Sequence, residues 1–117
     1  MEPISQRALA EAVDQMWAKF LPQMKERVAV LESADEALAA GTLTTGQRAA
    51  ANSAAHKLAG VLGTFGLTKG TILAREAEII YSAEPETDPG AAAQLREISS
   101  RLRSLIEERA AAGTITL

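Results

Sequence analysis

The sequence predicts an all-α fold, an up-and-down four-helix bundle with an additional N-terminal helix, in a single helical domain over residues 1–117. Apolar residues recur at three- and four-residue spacing through most of the chain, which is the period of a helix with one buried face. No stretch of useful length alternates apolar and polar residues as a half-buried strand does, and no repeat of solenoid length is visible. Aromatics make up 3% of a sequence that is 47% hydrophobic. Its core must therefore be built from Leu, Ile, Val and Ala, which suits closely packed helices better than a sheet.

The N-terminal helix, within residues 1–20, begins near Ile4 with Ser5 as N-cap and carries Leu9, Val13, Met16, Trp17 and Phe20 at helical spacing. Trp17 and Phe20 read as anchors between helices. Pro22 either kinks this segment or opens a second helix, since proline is tolerated in a first turn. The four bundle helices are expected within 21–112. The first shows Met24, Val28, Leu31 and Leu38 on one face and stops at Gly41. A short connection follows, and Thr44 or Thr45 caps the next helix, which runs through an alanine-rich segment to about Thr64. Gly66 is its terminator, and Leu67 can tuck back against the bundle. Thr68 is the expected N-cap of a helix from Lys69 to about Ala83, with Ile72, Leu73, Ala77 and Ile80 buried and Gly70 tolerated in the first turn. The stretch from Glu84 to Gly90, with Pro85 and Pro89, is a surface loop. Asp88 then caps a last helix with Pro89 at its first position, and Leu95, Ile98, Leu102, Leu105 and Ile106 form its apolar line. Residues 113–117 read as a frayed tail or the cut end of a longer chain.

Composition excludes several classes of function. Net charge is −3, with 12 basic and 15 acidic residues and no block of like charge. That is no nucleic-acid binder and no disordered chain. The absence of cysteine excludes a disulfide framework and a thiolate metal site. No apolar run reaches the length of a membrane span and the N-terminus lacks a signal-peptide pattern, so a cytoplasmic protein without membrane insertion is expected.

One histidine, His56, is present in the whole chain. On a helical wheel Ala51, Ala55, Leu58, Leu62 and Phe65 gather on one side, and His56 lies roughly 140° from the middle of that stripe. It should face water. Gly60 and Gly63 follow on the same side, while Ala49, Asn52 and Ala59 complete its surroundings. Glycine inside a helix costs about 1 kcal/mol relative to alanine. Two of them beside one exposed imidazole suggest the close approach of another surface.

The stretch His56-Lys57-Leu58-Ala59-Gly60, followed by Phe65-Gly66-Leu67, resembles the histidine-containing phosphotransfer (HPt) domain family. That family commonly shows His-x-Leu-Lys-Gly-Ser and then a Leu-Gly pair a turn or two later, where Phe65-Gly66 falls here. Ala59 stands here where lysine is usual, and Val61 where serine is frequent. The resemblance implies a helical bundle that acts as a phosphocarrier in a two-component phosphorelay. His56 would accept a phosphoryl group from a receiver-domain aspartate, or from a kinase, and pass it to another receiver. It further implies a module without its own ATP site or kinase activity, and a monomer. Its partners would be a response-regulator receiver domain or a hybrid histidine kinase. The receiver would bring the Mg²⁺, and the domain itself would hold no cofactor and no metal.

Neutral imidazole is a nucleophile, and phosphorylation of a ring nitrogen gives a covalent intermediate labile enough to pass the group on. In this reading Asn52, Ala59, Gly60 and Gly63 belong to the docking surface. Lys57 and Lys69 would steady phosphoryl charge, although exposed lysines are more often a solvated face. Val61 is a candidate for the rim. The alternative is a non-catalytic helical module that docks a receiver or other signalling partner, for which His56 need not react. A plain helical oligomerisation domain is a third reading. Other chemistries lack their equipment. A lone histidine makes a poor zinc site, and Ser53 has no orienting acid or oxyanion site. Gly60, Gly63 and Gly66 do not follow a strand as a phosphate loop would. Glu76 and Glu78 read as surface charges or partners of Arg75.

Overall fold

A computed structural model describes residues 5–84 and 86–113. Ile4, Pro85 and Thr114 to Leu117, which the sequence reading assigned to a helix start, a loop and a tail, lie outside the described residues. Among these residues there are four α-helices and one 3-10 turn: α1 (Gln6–Ala40), α2 (Thr45–Thr64), α3 (Thr68–Tyr81), the turn Pro89–Ala91 and α4 (Ala92–Gly113). No strand occurs among them. Successive helices run antiparallel, and α1 packs on α2 and α4 while α3 closes the ring between α2 and α4.

The expected division into an N-terminal helix to residue 20 and a bundle from residue 21 is not present. One helix of 35 residues runs through Pro22. Proline removes one backbone N–H and crowds the carbonyl four residues earlier, but Pro22 and Ala18 both face solvent, where water can take up that carbonyl. On the opposite face Trp17, Met24, Val28 and Leu31 are buried in line on both sides of the proline. Burial of side chains this large contributes about 1.5–3 kcal/mol each, enough to hold the helix continuous. Only the first turns of α1 escape this packing. Their neighbours are the last turns of α4, with Leu9, Val13 and Asp14 lining a shallow groove with Arg109 and Ala112. Leu9 and Met16, two of the apolar residues at helical spacing, are exposed.

The helix ends follow local chemistry. The Ser5 hydroxyl accepts from the Ala8 N–H at 3.0 Å, capping α1. Gly41 closes it in the left-handed conformation, φ 73°, with Thr42 N–H bonded to the Ala37 carbonyl at 2.8 Å. Thr44 and Gln47 form a reciprocal capping box that fixes the start of α2. Gly66 reverses the chain at φ 73°, and Leu67 packs against the core as expected. Thr68 does not cap α3. It is the first helical residue, and the preceding Leu67 offers no side-chain bond. Asp88 caps as expected, accepting from Gly90 N–H at 2.9 Å, but the chain makes a 3-10 turn before α4.

Two features set the spacing of the helices. Gly70 is buried, and a Cβ there would stand 2.9 Å from Leu62 Cδ1. Its glycine is a close-approach residue that lets α3 lie against α2, beyond the tolerance of a first turn. Ile72 falls on the outer face of α3 and is exposed, against expectation. The second feature is a buried carboxylate. Asp35 of α1 accepts one hydrogen bond from Tyr81 Oη of α3 and one from Ser99 Oγ of α4, each at 2.5 Å. Burial pushes the Asp35 carboxyl above its ordinary range, against the opposing pull of the two hydroxyl donors. No helix among the described residues is long and apolar enough to cross a membrane.

Candidate functional site

The site lies on the outer side of the α2–α3 seam. The capping box starts α2 in a fixed register, and the buried run Ala51, Ala55, Leu58 and Leu62 turns the opposite face outward. His56 projects from that face with 74% of its side chain exposed. Its Nδ1 lies 2.8 Å from Oε2 of Glu78 on α3. An ionised carboxylate only accepts hydrogen bonds. Nδ1 therefore carries the hydrogen, and in the neutral ring the lone pair sits on Nε2, on the side away from Glu78.

Glu78 is itself held in place. Asn52 Nδ2 donates to the Glu78 backbone carbonyl at 2.8 Å, and Arg48 Nη1 donates to the Ala83 carbonyl at 2.6 Å. The C-terminal end of α3 is thus tied to α2 on the N-terminal side of His56. At the other end Thr71 Oγ1 donates to the Ala59 carbonyl at 3.1 Å. Beside the imidazole a Cβ added at Gly60 would meet no atom within 4 Å, so this glycine leaves open space. An oriented nitrogen lone pair with open space beside it can attack an electrophile carried by a second macromolecule. Among the described residues no group of three or more His, Asp or Glu is arranged to hold a metal.

Comparison with known proteins gives the family of the chain. The model of the Hpt domain family matches residues 15–112. This chain belongs to the Hpt family. Protein RcaC of Microchaete diplosiphon is 30% identical over 103 residues, which cover 88% of this chain and 16% of that protein. The chain thus spans about a sixth of this relative's length. No solved structure gives a significant match. Membership carries the general role of a phosphocarrier in a phosphorelay.

The residues expected around the imidazole of this Hpt domain divide into two groups. Asn52, Gly60 and His56 come together at the seam. Gly63 lies on the same face, but a Cβ there would stand 3.3 Å from Thr71 Oγ1, so it serves the approach of α3 as well. Ala59 is buried in the core cluster and offers no docking surface. Val61 is half-buried against that core, not at a rim. Lys57 lines the groove between α1 and α2 with Arg27 and Ser53, and Lys69 lines the groove between α3 and α4 with Leu105 and Glu108. Neither groove is the α2–α3 seam.

Glu78 is the residue that the sequence reading missed. Its sequence position reads, with Glu76, as a surface charge or a partner of Arg75. In the fold it holds His56, while Glu76 accepts from Gln94 Nε2 at 2.7 Å.

Proposed function

We propose that this Hpt domain carries a phosphoryl group on Nε2 of His56, taking it from a receiver-domain aspartyl phosphate or a histidine kinase and giving it to another receiver. The observation that carries this reading is the exposed imidazole whose Nδ1 is held by Glu78, with Nε2 open beside Gly60. In the transfer the Nε2 lone pair bonds to phosphorus and the bond from phosphorus to the aspartate oxygen breaks, returning a carboxylate to the receiver. The hydrogen on Nδ1 stays in its bond to Glu78, whose charge offsets the positive charge that the ring gains. Return transfer reverses these steps. Phosphoryl transfer needs in-line positioning and charge stabilisation, and Mg²⁺ with most of that equipment belongs to the receiver. This domain contributes the nucleophile and the docking face.

Incubation with a receiver labelled on its aspartate tests the reading. An acid-labile, alkali-stable label on the peptide containing His56 is the expected result. No transfer from several receivers to folded, helical protein would leave a docking module instead.

The Glu78 contact makes a graded prediction. Glu78→Ala frees the ring to turn and to adopt the other tautomer. Phosphoryl acceptance should slow by about tenfold, equivalent to ~1.4 kcal/mol of barrier. Glu78→Gln, which keeps an acceptor but not the charge, should fall between. Equal rates for all three proteins would remove Glu78 from the mechanism.

Gly60 separates docking from chemistry. Gly60→Leu meets no atom within 4 Å at its Cβ and replaces a poor helix former, so the fold should gain up to ~0.8 kcal/mol. Its side chain would stand where a receiver must come close. Transfer from a receiver should drop at least tenfold, while labelling by phosphoramidate, a small donor, stays near the wild-type rate. Undiminished receiver transfer would show that Gly60 lies outside the interface.

A further inference from the structure

A phosphoryl group on His56 brings up to two negative charges to a ring already 2.8 Å from the Glu78 carboxylate. A nearby cation would favour that state. Lys57 and Lys69 line grooves on other faces of the bundle. Arg48 lies two turns before His56 and bonds the Ala83 carbonyl.

Arg75 remains. It is exposed on α3, four residues after Thr71 and three before Glu78. Those two residues fix the pairing of the antiparallel helices, Thr71 to the Ala59 carbonyl and Glu78 to His56. Between these contacts α3 passes Arg75 alongside the turn from His56 to Gly60. Residues three and four apart share a helix face, so Arg75 lies on the same side of α3 as Thr71 and Glu78, slightly further out. It takes part in none of the ion pairs found among the described residues. The space above Gly60 is open, and a guanidinium fork matches phosphate oxygens.

We propose that Arg75 is the phosphoryl-binding residue of this domain, its guanidinium closing over Gly60 onto the oxygens of the group carried by His56. This rests on the phosphocarrier reading of His56. The Arg75 contribution is specific to the phosphorylated state, because the free imidazole offers it no anion except Glu78.

The test uses the full chain phosphorylated by phosphoramidate, whose P–N bond breaks and releases ammonia as Nε2 bonds to phosphorus. A ³¹P NMR titration then reads the last ionisation of the phosphoryl group. A neighbouring cation favours the dianion, so Arg75→Gln should raise that pKa by about half a unit or more. Arg75→Lys should recover part of the shift, and Lys57→Gln should leave the wild-type value. Equal values in wild type and Arg75→Gln, or a shift produced by Lys57→Gln instead, would overturn the assignment. If folded wild type takes up no phosphoryl group at all, the phosphocarrier reading itself fails and Arg75 falls with it. If His56 is phosphorylated but insensitive to Arg75, only the Arg75 assignment fails.

Discussion

His56→Gln should accept no phosphoryl group from any receiver or from phosphoramidate, while melting within about 5 °C of the wild type. The first half follows from chemistry. A glutamine amide nitrogen has its lone pair delocalised into the carbonyl and cannot replace imidazole as a nucleophile. The second half follows from the surroundings of the ring. Its one polar contact among the described residues is the Glu78 pair, and with 74% of the His56 side chain exposed that pair is worth at most about 1 kcal/mol. Docking surfaces are untouched, so calorimetric binding to a receiver should survive the substitution. Separation of binding from transfer is the diagnostic outcome. Label remaining on His56→Gln would mean that another residue is the acceptor.

Asp35→Ala should be the most destabilising polar substitution in the bundle. It leaves the hydroxyls of Tyr81 and Ser99 without their acceptor, in a place where Asp35 is 1% exposed. Orphaned buried polar groups cost about 1–3 kcal/mol each. A loss near 3 kcal/mol would lower the melting temperature by about 10 °C or more. Asp35→Asn keeps one carbonyl acceptor and should cost about 1 kcal/mol. Its comparison with wild type also isolates a pH effect. Burial raises the folded carboxyl above its ordinary value, so the folded state binds a proton more tightly than the unfolded chain. The resulting stability is fully present below the unfolded value and is lost as pH rises through the folded one. Wild type should therefore gain on Asp35→Asn as pH is lowered from neutrality toward 4. Melting curves at several pH values measure this, and a difference independent of pH would contradict it.

Most features governed by one helix and its ends were legible in the sequence, the missing Thr68 cap being an exception. Gly41 and Gly66 take up positive φ, the Thr44 and Asp88 caps form, and the stripe of α2 leaves His56 facing water. What escaped depends on how helices meet. Glu78 is 22 residues from His56, and no wheel drawn for one helix can show a partner on another. Ala59 lies only about 60° from His56 on the wheel, yet it is buried in the core cluster, with Thr71 of α3 bonded to its carbonyl. Gly70 looked like a tolerated first-turn glycine because its reason, Leu62, sits across the seam. Pro22 misled in the other direction, since local breaking tendency yields to burial on both of its sides. Ile72 and Leu9 show the same limit: periodicity names an apolar face but not whether a neighbour reaches it.

The functional pair comes from two consecutive helices joined by only three residues, Phe65 to Leu67. Such a hairpin closes a short loop, at small entropic cost and with fast kinetics. The nucleophile and its carboxylate thus find each other through local folding, before the distant contact of α1 with α4 is required. The first turns of α1 stand at the opposite extreme, lying along the last turns of α4 with Asp14 paired to Arg109 at 2.7 Å. Local opening of that end would break contacts of α1 with α4 and leave the His56–Glu78 pair of the hairpin in place.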